Sequence, residues 1–319
     1  MIERIFDGLP RVALVTCGAL PDLYPDDRLV IGPLAALGVR AEPAVWDDPS
    51  VDWSGYDLAV LRSAWDYPSR RAEFLAWTRR VSGAGVRARN EAGGGEPRRP
   101  RLANPADVVA WNTDKRYLGD LDRAGVPVVP TTWVAPGEEW SPPGHGHWVV
   151  KPAVGAGSLD TGRYDLADAS QRSLARAHVD RLGTAGRVAM VQPYLTAVDT
   201  LGETGLIFLG SAYSHAIRKG AMLSGPAETV DGLYQLEEFS AREPSTVERD
   251  VADRALAAVP GGAHRLLYAR VDLIPGPDGG PVVIELELTE PSLFLDTAEG
   301  AVDRLAAAIA TAVQRLPPS

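Results

Sequence analysis

The chain has 319 residues, of which 45% are hydrophobic and 23% charged, with a formal net charge of −10. That length suits two or three packed units, and the acidic balance argues against a nucleic-acid binder, which needs a basic face. A single cysteine, Cys17, excludes an intrachain disulfide and a cysteine-based zinc site. No run of about 18 apolar residues suggests a membrane span, and Met1-Ile2-Glu3-Arg4 leads into no apolar signal core; both fit a cytoplasmic protein.

The first third alternates strands and helices. Residues 12–16, 44–46 and 58–61 read as short apolar strands. Residues 28–37 have helical apolar spacing that stops at Gly38, and Phe74, Trp77, Thr78 and Val81 recur at one helix face. Such a βαβ pattern predicts a small parallel sheet. Three glycines and two prolines in residues 88–101 mark a mobile surface loop or linker, with a boundary near residue 104. Asn112 or Thr113 is expected to cap a helix running to Ala124, before Gly125 and Pro127. Strands follow at 128–134 and 148–151, then a helix around Leu174 and a strand at 188–193. A hairpin turning at Gly210-Ser211 joins strands 205–209 and 212–218. A helix over 246–259, strands at 268–274 and 282–288, and an amphipathic helix over 305–316 complete the chain. The expected units are 1–104, 105–194 and 195–319.

Only three of the 32 basic residues are lysines: Lys115, Lys151 and Lys219. Against an arginine background, each suggests a place that wants a compact point charge rather than a planar fork; a crowded polyphosphate is such a place, and a chance surface position is the alternative. Lys151 leaves an apolar strand and is followed by Pro152 and then by a run of small residues from Ala153 to Gly162. Gly155, Gly157 and Ser158 leave backbone N–H groups open to phosphate oxygens, although a plain turn would look the same. At Gln192-Pro193-Tyr194-Leu195 a strand passes into loop, and the proline frees the chain edge from sheet pairing. Asp272 lies on one late strand, and Glu285 and Glu287 lie two apart on the next, hence on one face. Paired carboxylates on an apolar strand repel each other and resist burial, which a divalent cation such as Mg²⁺ would relieve; a solvated sheet face or pairing with Arg270 would relieve it too.

Taken in order, these features resemble the ATP-grasp superfamily. Leu61-Arg62-Ser63-Ala64-Trp65-Asp66-Tyr67, Asn112-Thr113-Asp114-Lys115-Arg116-Tyr117-Leu118, Val150-Lys151-Pro152, Gly202-Glu203, Ser214-His215-Ala216-Ile217-Arg218-Lys219 and Glu285-Leu286-Glu287-Leu288-Thr289-Glu290-Pro291-Ser292 are similar to the branch that contains the O-ureido-serine cyclo-ligase of cycloserine biosynthesis. The resemblance spans nearly the whole chain. It implies an α/β chain with α+β lobes, in which an ATP-grasp fold follows an N-terminal parallel α/β domain. It also implies ATP with Mg²⁺, two ions, as cofactors. Lys115 and Lys151 match the phosphate-holding lysines, residues 192–195 the adenine hinge, and Glu203 the ribose-binding acid, with Asp199 a rival. Arg218, and with it Lys219, matches the basic group facing the transferring phosphate. Asp272, Glu285 and Glu287 match the metal ligands, although many relatives carry Asn at the position of Glu287. Arg62, the segment Trp65-Asp66-Tyr67, Lys219, Glu290 and Ser292 would face the second substrate.

The expected reaction is phosphoryl transfer to a substrate carboxylate, followed by attack of a nitrogen nucleophile and loss of phosphate. Positioning and charge neutralisation do most of such catalysis, with Lys151 and Arg218 as the catalytic pair and His215 left to a structural role. The partners are then ATP, a small carboxylate and an amine, with no nucleic acid and no membrane, and a homodimer stays open. Two other readings are a catalytically silent nucleotide-binding regulator and a kinase-like enzyme that releases a phosphorylated product.

Overall fold

In the computed structural model, residues 8–83, 100–220, 225–226 and 238–314 are described. The chain start, nearly all of the expected linker at 88–101, residues 221–224 and 227–237 and the end of the last expected helix lie outside them.

The first sheet is parallel, in the order β2 (Arg40–Val45), β1 (Arg11–Thr16), β3 (Leu58–Ser63), β4 (Arg101–Ala103). β3 is buried along its length, as the near-continuous apolar run of a strand covered on both faces should be. The single helix predicted over 28–37 is two short ones, α1 (Pro25–Arg28) and α2 (Ile31–Ala36). Pro33 explains the break: its ring would clash with the carbonyl of Leu29 in a continuous helix, but it is tolerated in the first turn of α2. α3 (Arg71–Val81) buries Phe74, Trp77, Thr78 and Val81, the face read from their spacing.

The helix expected to start at Asn112 does not. Asn112 is the last residue of α4 (Ala106–Asn112), and α5 spans Tyr117–Arg123. Its buried carboxamide donates to the Leu286 carbonyl (2.7 Å) and accepts from the Leu288 N–H (2.8 Å). Those partners lie far along the chain, and a local capping pattern does not show them. Lys115 therefore sits in the turn between two helices rather than on one.

The second sheet is antiparallel, in the order β5 (Thr132–Val134), β8 (Ala189–Pro193), β6 (His147–Pro152), β7 (Gly162–Asp165). β7 was not expected from the sequence. The strand expected over 128–134 is reduced to β5 and a bridge from Val128 to Val283, because Pro130 cannot donate to a ladder. α6 (Ala169–Thr184) packs Ala175, Val179 and Leu182 in one cluster with Val150, Tyr164 and Val191.

The third sheet, also antiparallel, runs β11 (Phe239–Arg242), β10 (Ala212–Lys219), β9 (Glu203–Leu209), β12 (Tyr268–Pro275), β13 (Pro281–Glu287). β9 and β10 form the expected hairpin. A four-residue helix, α7 (Val198–Leu201), leads into β9 through Gly202, whose φ of +74° and approach to the Lys219 carbonyl leave no room for a side chain. α8 (Thr246–Ala257) starts at a capping box of Ser245 and Glu248. The last helix, α9 (Ala301–Gln314), places Leu305, Ile309 and Val313 in one cluster with Leu14, Leu34 and Val60 of the N-terminal unit and Ile207 and Ile217 of the third sheet. The N-terminal sheet thus shares its core with the end of the chain. Among the described residues no helix is long and apolar enough to cross a membrane.

Candidate active site

A cavity of about 270 Å³ is lined by residues of the second and third sheets and of the segments that follow β3, β6 and β13. Lys115, Lys151, Gly155, Gly157, Ser158, Gln192, Pro193, Tyr194, Leu195, Glu203, Glu285 and Glu287 all line it, and so do Trp65, Lys219, Glu290 and Ser292. Positions spread over more than two hundred residues of chain meet there.

The glycine segment turns sharply after β6. Gly157, Ser158 and Asp160 all have positive φ, between 55° and 61°, a backbone that glycine adopts freely and serine and aspartate adopt at a cost. Asp160 holds the turn from behind. Its carboxylate accepts from Arg187 (2.8 Å) and Arg181 (2.5 Å) and pairs with His178 (3.1 Å); Arg187 also donates to the Val154 carbonyl (3.2 Å). Hydrogen bonding to His178 and Arg181 keeps the Asp160 carboxyl well below the usual carboxylate range.

Lys115 joins this segment to the acidic strand. Its Nζ donates to the Gly155 carbonyl (2.6 Å) and lies 2.9 Å from Glu285 Oε1. Burial alone would lower its pKa, but Glu285 outweighs that and the net shift is upward. Lys151 has no such dominant partner: burial lowers its pKa, with Lys115 and Lys219 adding to the effect and Glu285 and Glu203 opposing it. An anion arriving beside Lys151 would restore its charge.

Gln192 is buried and donates to Thr131 (2.9 Å), and the Tyr194 N–H donates to the His147 carbonyl (2.8 Å). Arg163 lies over the Tyr194 ring, 3.7 Å from its centroid. Asp199 bonds the Tyr194 hydroxyl and pairs with Arg163 (3.4 Å); Glu203 lines the cavity and Asp199 does not.

The acids divide unequally. Glu285 stays below its usual range because Lys115 and Lys151 overcome the cost of burial. Burial, with Glu285 and Asp272 nearby, pushes Glu287 up to about 7 despite Arg270. Asp272, across the ladder from Glu285, is held well below the carboxylate range: burial opposes this, and Arg270 and Lys219 overcome it. Its Oδ2 lies 3.0 Å from Lys219 Nζ, and its Oδ1 2.9 Å from Arg270 Nε. Among the described residues no three acidic or imidazole side chains already gather as a metal site. Two half-buried carboxylates on one strand face, Glu285 paired with Lys115 and Glu287 with Arg270, nevertheless offer the oxygen donors that Mg²⁺ uses.

Arg218 is not brought to the cavity. On β10 alternate residues face opposite ways, and Lys219 takes the cavity side while Arg218 donates to the carbonyls of Leu201 (2.9 Å) and Thr200 (3.0 Å) at the end of α7. Arg270 lines the cavity instead. Sequence reading named it only as a partner for the acids, although it lies two residues before Asp272 on one strand and so shares its face. Nor do Arg62 and Asp66 line the cavity. Arg62, 1% exposed, makes a buried pair with Asp27 (2.7 Å), and Asp66 accepts from Trp46 Nε1 (2.9 Å). Asp66 is spent within the N-terminal unit, and Arg62 is spent there and on the segment after β13.

Beyond β13 the chain is fastened carbonyl by carbonyl. Thr289 O accepts from the Tyr268 hydroxyl (2.9 Å), Glu290 O from Trp65 Nε1 (3.0 Å) and Pro291 O from Arg62 Nη2 (2.8 Å). Ser292 O accepts from Arg270 Nη1 (3.0 Å) and Leu293 O from His215 Nε2 (2.9 Å). All five donors are buried, and the Leu295 N–H donates to Asp26 (2.9 Å). Tyr24, Tyr67, Phe239 and Phe294 also line the cavity; Tyr67 belongs to the segment expected to face the second substrate, and the other three were not among the expected site residues.

Residues 12–90 match the family model for the N-terminal domain of D-cycloserine synthetase DcsG. Across 96% of the chain and 99% of the relative, the sequence is 40% identical to the cycloserine biosynthesis protein DcsG of Streptomyces lavendulae. The chain belongs to the DcsG family. It is an ATP-grasp enzyme, an ATP-dependent ligase of specialised metabolism that forms a carbon–nitrogen bond. The crystal structure of D-cycloserine synthetase DcsG superposes with a TM-score of 0.79 at 38% identity, covering 95% of this chain and 99% of that one. The ATP complex of D-alanine–D-alanine ligase from Bacillus anthracis shares the fold, at 15% identity and a TM-score of 0.61 over 96% and 98% of the two chains. So does the ligase PsnB with a phosphomimetic precursor variant, Mg and ADP, at 20% and 0.55 over 96% and 99%. The fold expected from the DcsG-like motifs is the one found, and ATP with Mg²⁺ is the cofactor pair of these ligases.

Proposed function

We propose that this ligase activates the carboxylate of a small amino-acid-like substrate as an acyl phosphate and transfers the acyl group to a nitrogen. O-ureidoserine is the substrate and closure of its ring the reaction. The carboxylate oxygen attacks the γ-phosphorus, ADP leaves, the nitrogen attacks the acyl carbon and phosphate departs as the nitrogen loses its proton. Lys115 and Lys151 bind the phosphates, with the N–H groups of Gly155, Gly157 and Ser158 open above them. Residues 192–195 seat the purine and Glu203 the ribose. Arg270 and Lys219, both on the cavity face, take the place expected of Arg218 beside the reacting carboxylate. Glu285 and Glu287 would hold Mg²⁺, two ions, which neutralise phosphate charge when bound; Asp272, expected as a third ligand, lies outside the cavity lining, tied to Lys219 and Arg270. A cytoplasmic location follows from the need for ATP.

What carries this reading is a single arrangement. Lys115 bridges the Gly155 carbonyl and Glu285, so the phosphate segment, a lysine and a metal-type acid meet in one cavity. Lys151→Ala and Glu285→Ala should each abolish ADP release with O-ureidoserine while circular dichroism stays native. Removing Lys151 discards a charge that burial already disfavours, so a folded but inactive protein is expected. Near-normal turnover in both purified variants would sink the scheme, and a phosphorylated product in place of a ring would make the enzyme a kinase.

A further inference from the structure

Beyond β13, the cavity lining includes a buried acid, Glu290. Its carboxyl shares a hydrogen bond with Tyr67, and its Oε2 has no hydrogen-bond partner among the described residues. Burial, with Glu287 nearby, pushes its pKa well above the usual carboxylate range, and an ammonium group arriving there would restore its charge. A buried carboxylate oxygen without a partner is costly and is rare without a reason. It cannot easily turn away. The Glu290 carbonyl is tied to Trp65, and the carbonyls on either side to Tyr268 and Arg62. The backbone thus presents the side chain at a fixed place.

Its surroundings suit an organic cation better than a metal ion. Tyr24, Trp65 and Tyr67 line the cavity with it, and the rings of Tyr24 and Trp65 lie 5.0 Å apart. Aromatic faces attract ammonium groups through their quadrupole, whereas Mg²⁺ wants oxygen ligands and keeps several waters. Glu290 also lies beyond the end of β13, off the strand that carries Glu285 and Glu287. Arg270 and Lys219 stand on the cavity face of the neighbouring strands. A compact α-amino acid has its two charges on one carbon, so its carboxylate can face the basic pair while its ammonium faces Glu290.

We infer that Glu290 is the receptor for the α-ammonium group of the amino-acid substrate, with Tyr24, Trp65 and Tyr67 as the aromatic wall behind it. This deepens the proposed ligase reading and rests on it. Glu290 then sets specificity: it admits a free amino acid and rejects the same molecule acylated on nitrogen.

Glu290→Gln keeps the shape and removes the ionisable group that an ammonium would charge. Its KM for O-ureidoserine should rise roughly tenfold or more, as expected for a lost charge-assisted bond, with KM for ATP and the Mg²⁺ activation curve unchanged. An unchanged KM for O-ureidoserine, or a shift in Mg²⁺ dependence instead, overturns the inference. Wild-type protein supplies an arm that needs no variant. N-acetyl-O-ureidoserine should lose at least the same factor in kcat/KM, and equal turnover of the two overturns the inference. Absence of any ADP release from wild type with O-ureidoserine would instead strike the proposed function. The ammonium site is then read from thermal shifts with ADP and Mg²⁺ present: serine should raise the melting temperature of wild type but not of Glu290→Gln, and glycerate should raise neither. No serine effect, or one equal to that of glycerate, overturns the inference.

Discussion

Two walls of the cavity are held in opposite ways. The glycine segment after β6 is fastened at two points, through Asp160 to residues of α6 and the turn that follows it, and through Lys115 at the Gly155 carbonyl. The segment after β13 is fastened at five successive carbonyls, by donors from the N-terminal unit and from the third sheet. A wall held at two points, one of them a lysine that also meets the phosphates, can shift as nucleotide enters. A wall anchored from two units fixes shape, which suits discrimination between small substrates. The contrast also divides the expected effects of substitution: damage to the second wall should spread into the fold, and damage to the first should stay at the nucleotide.

The largest effect should come from Arg62→Met. Arg62 holds Asp27 and the Pro291 carbonyl while fully buried. Removing it strands a buried carboxylate, which costs about 3–5 kcal/mol, measurable by chemical denaturation. If Arg62→Met keeps its stability and only raises KM for the amino-acid substrate, Arg62 is a substrate residue, as its place in the Arg62-Ser63-Ala64-Trp65 motif first suggested.

Asp26 should give a smaller effect with a clear sign. It accepts from the Leu295 N–H at the end of the anchored wall, and burial pushes its carboxyl up to about 6, with Asp27 and Asp296 adding to this and Arg62 and the Leu295 bond opposing it. An acid raised in the folded state contributes stability that is fully present below its unfolded value, near 4, and is lost as pH rises through 6. Wild type should therefore lose about 1–2 kcal/mol between pH 4 and 8 through this group, after discounting for its partial exposure. Asp26→Asn keeps an acceptor for Leu295 and should remove that part of the slope. Equal pH dependence of denaturant midpoints in the two proteins would show that the wall's far anchor does not titrate.

The sequence made the first wall far more legible than the second. Lys151, the small-residue run and residues 192–195 are local patterns, and the alternation of Glu285 and Glu287 needs only the period of a strand. The fastening of residues 289–293 was invisible, because each donor lies elsewhere in the chain: Tyr268 and Arg270 on β12, His215 on β10, and Arg62 and Trp65 in the N-terminal unit. The same distance explains Asn112, read as a cap when its partners are Leu286 and Leu288. Arg218 and Lys219 show a different limit. Adjacent strand residues face opposite ways, and a motif that contains both does not say which side will be the cavity. Arg270 could have been found from its spacing to Asp272, but its neighbour's acidity drew attention to it only as a counter-ion.

The smallest effect should come from the first wall itself. Asp160→Asn removes the charge at the node of His178, Arg181 and Arg187 but leaves an amide of the same shape. The node is partly exposed and solvent screens it, so its contribution to stability should be modest, roughly 1 kcal/mol. Arg187 keeps its bond to Val154, so the segment should loosen rather than unfold. A few-fold rise in KM for ATP is expected, with kcat and KM for the amino-acid substrate nearly unchanged. That split is what a positioning residue gives and a general structural one does not. A matching rise in both KM values would mean that the two walls move together, and the contrast between a yielding nucleotide wall and a fixed substrate wall would have to be abandoned.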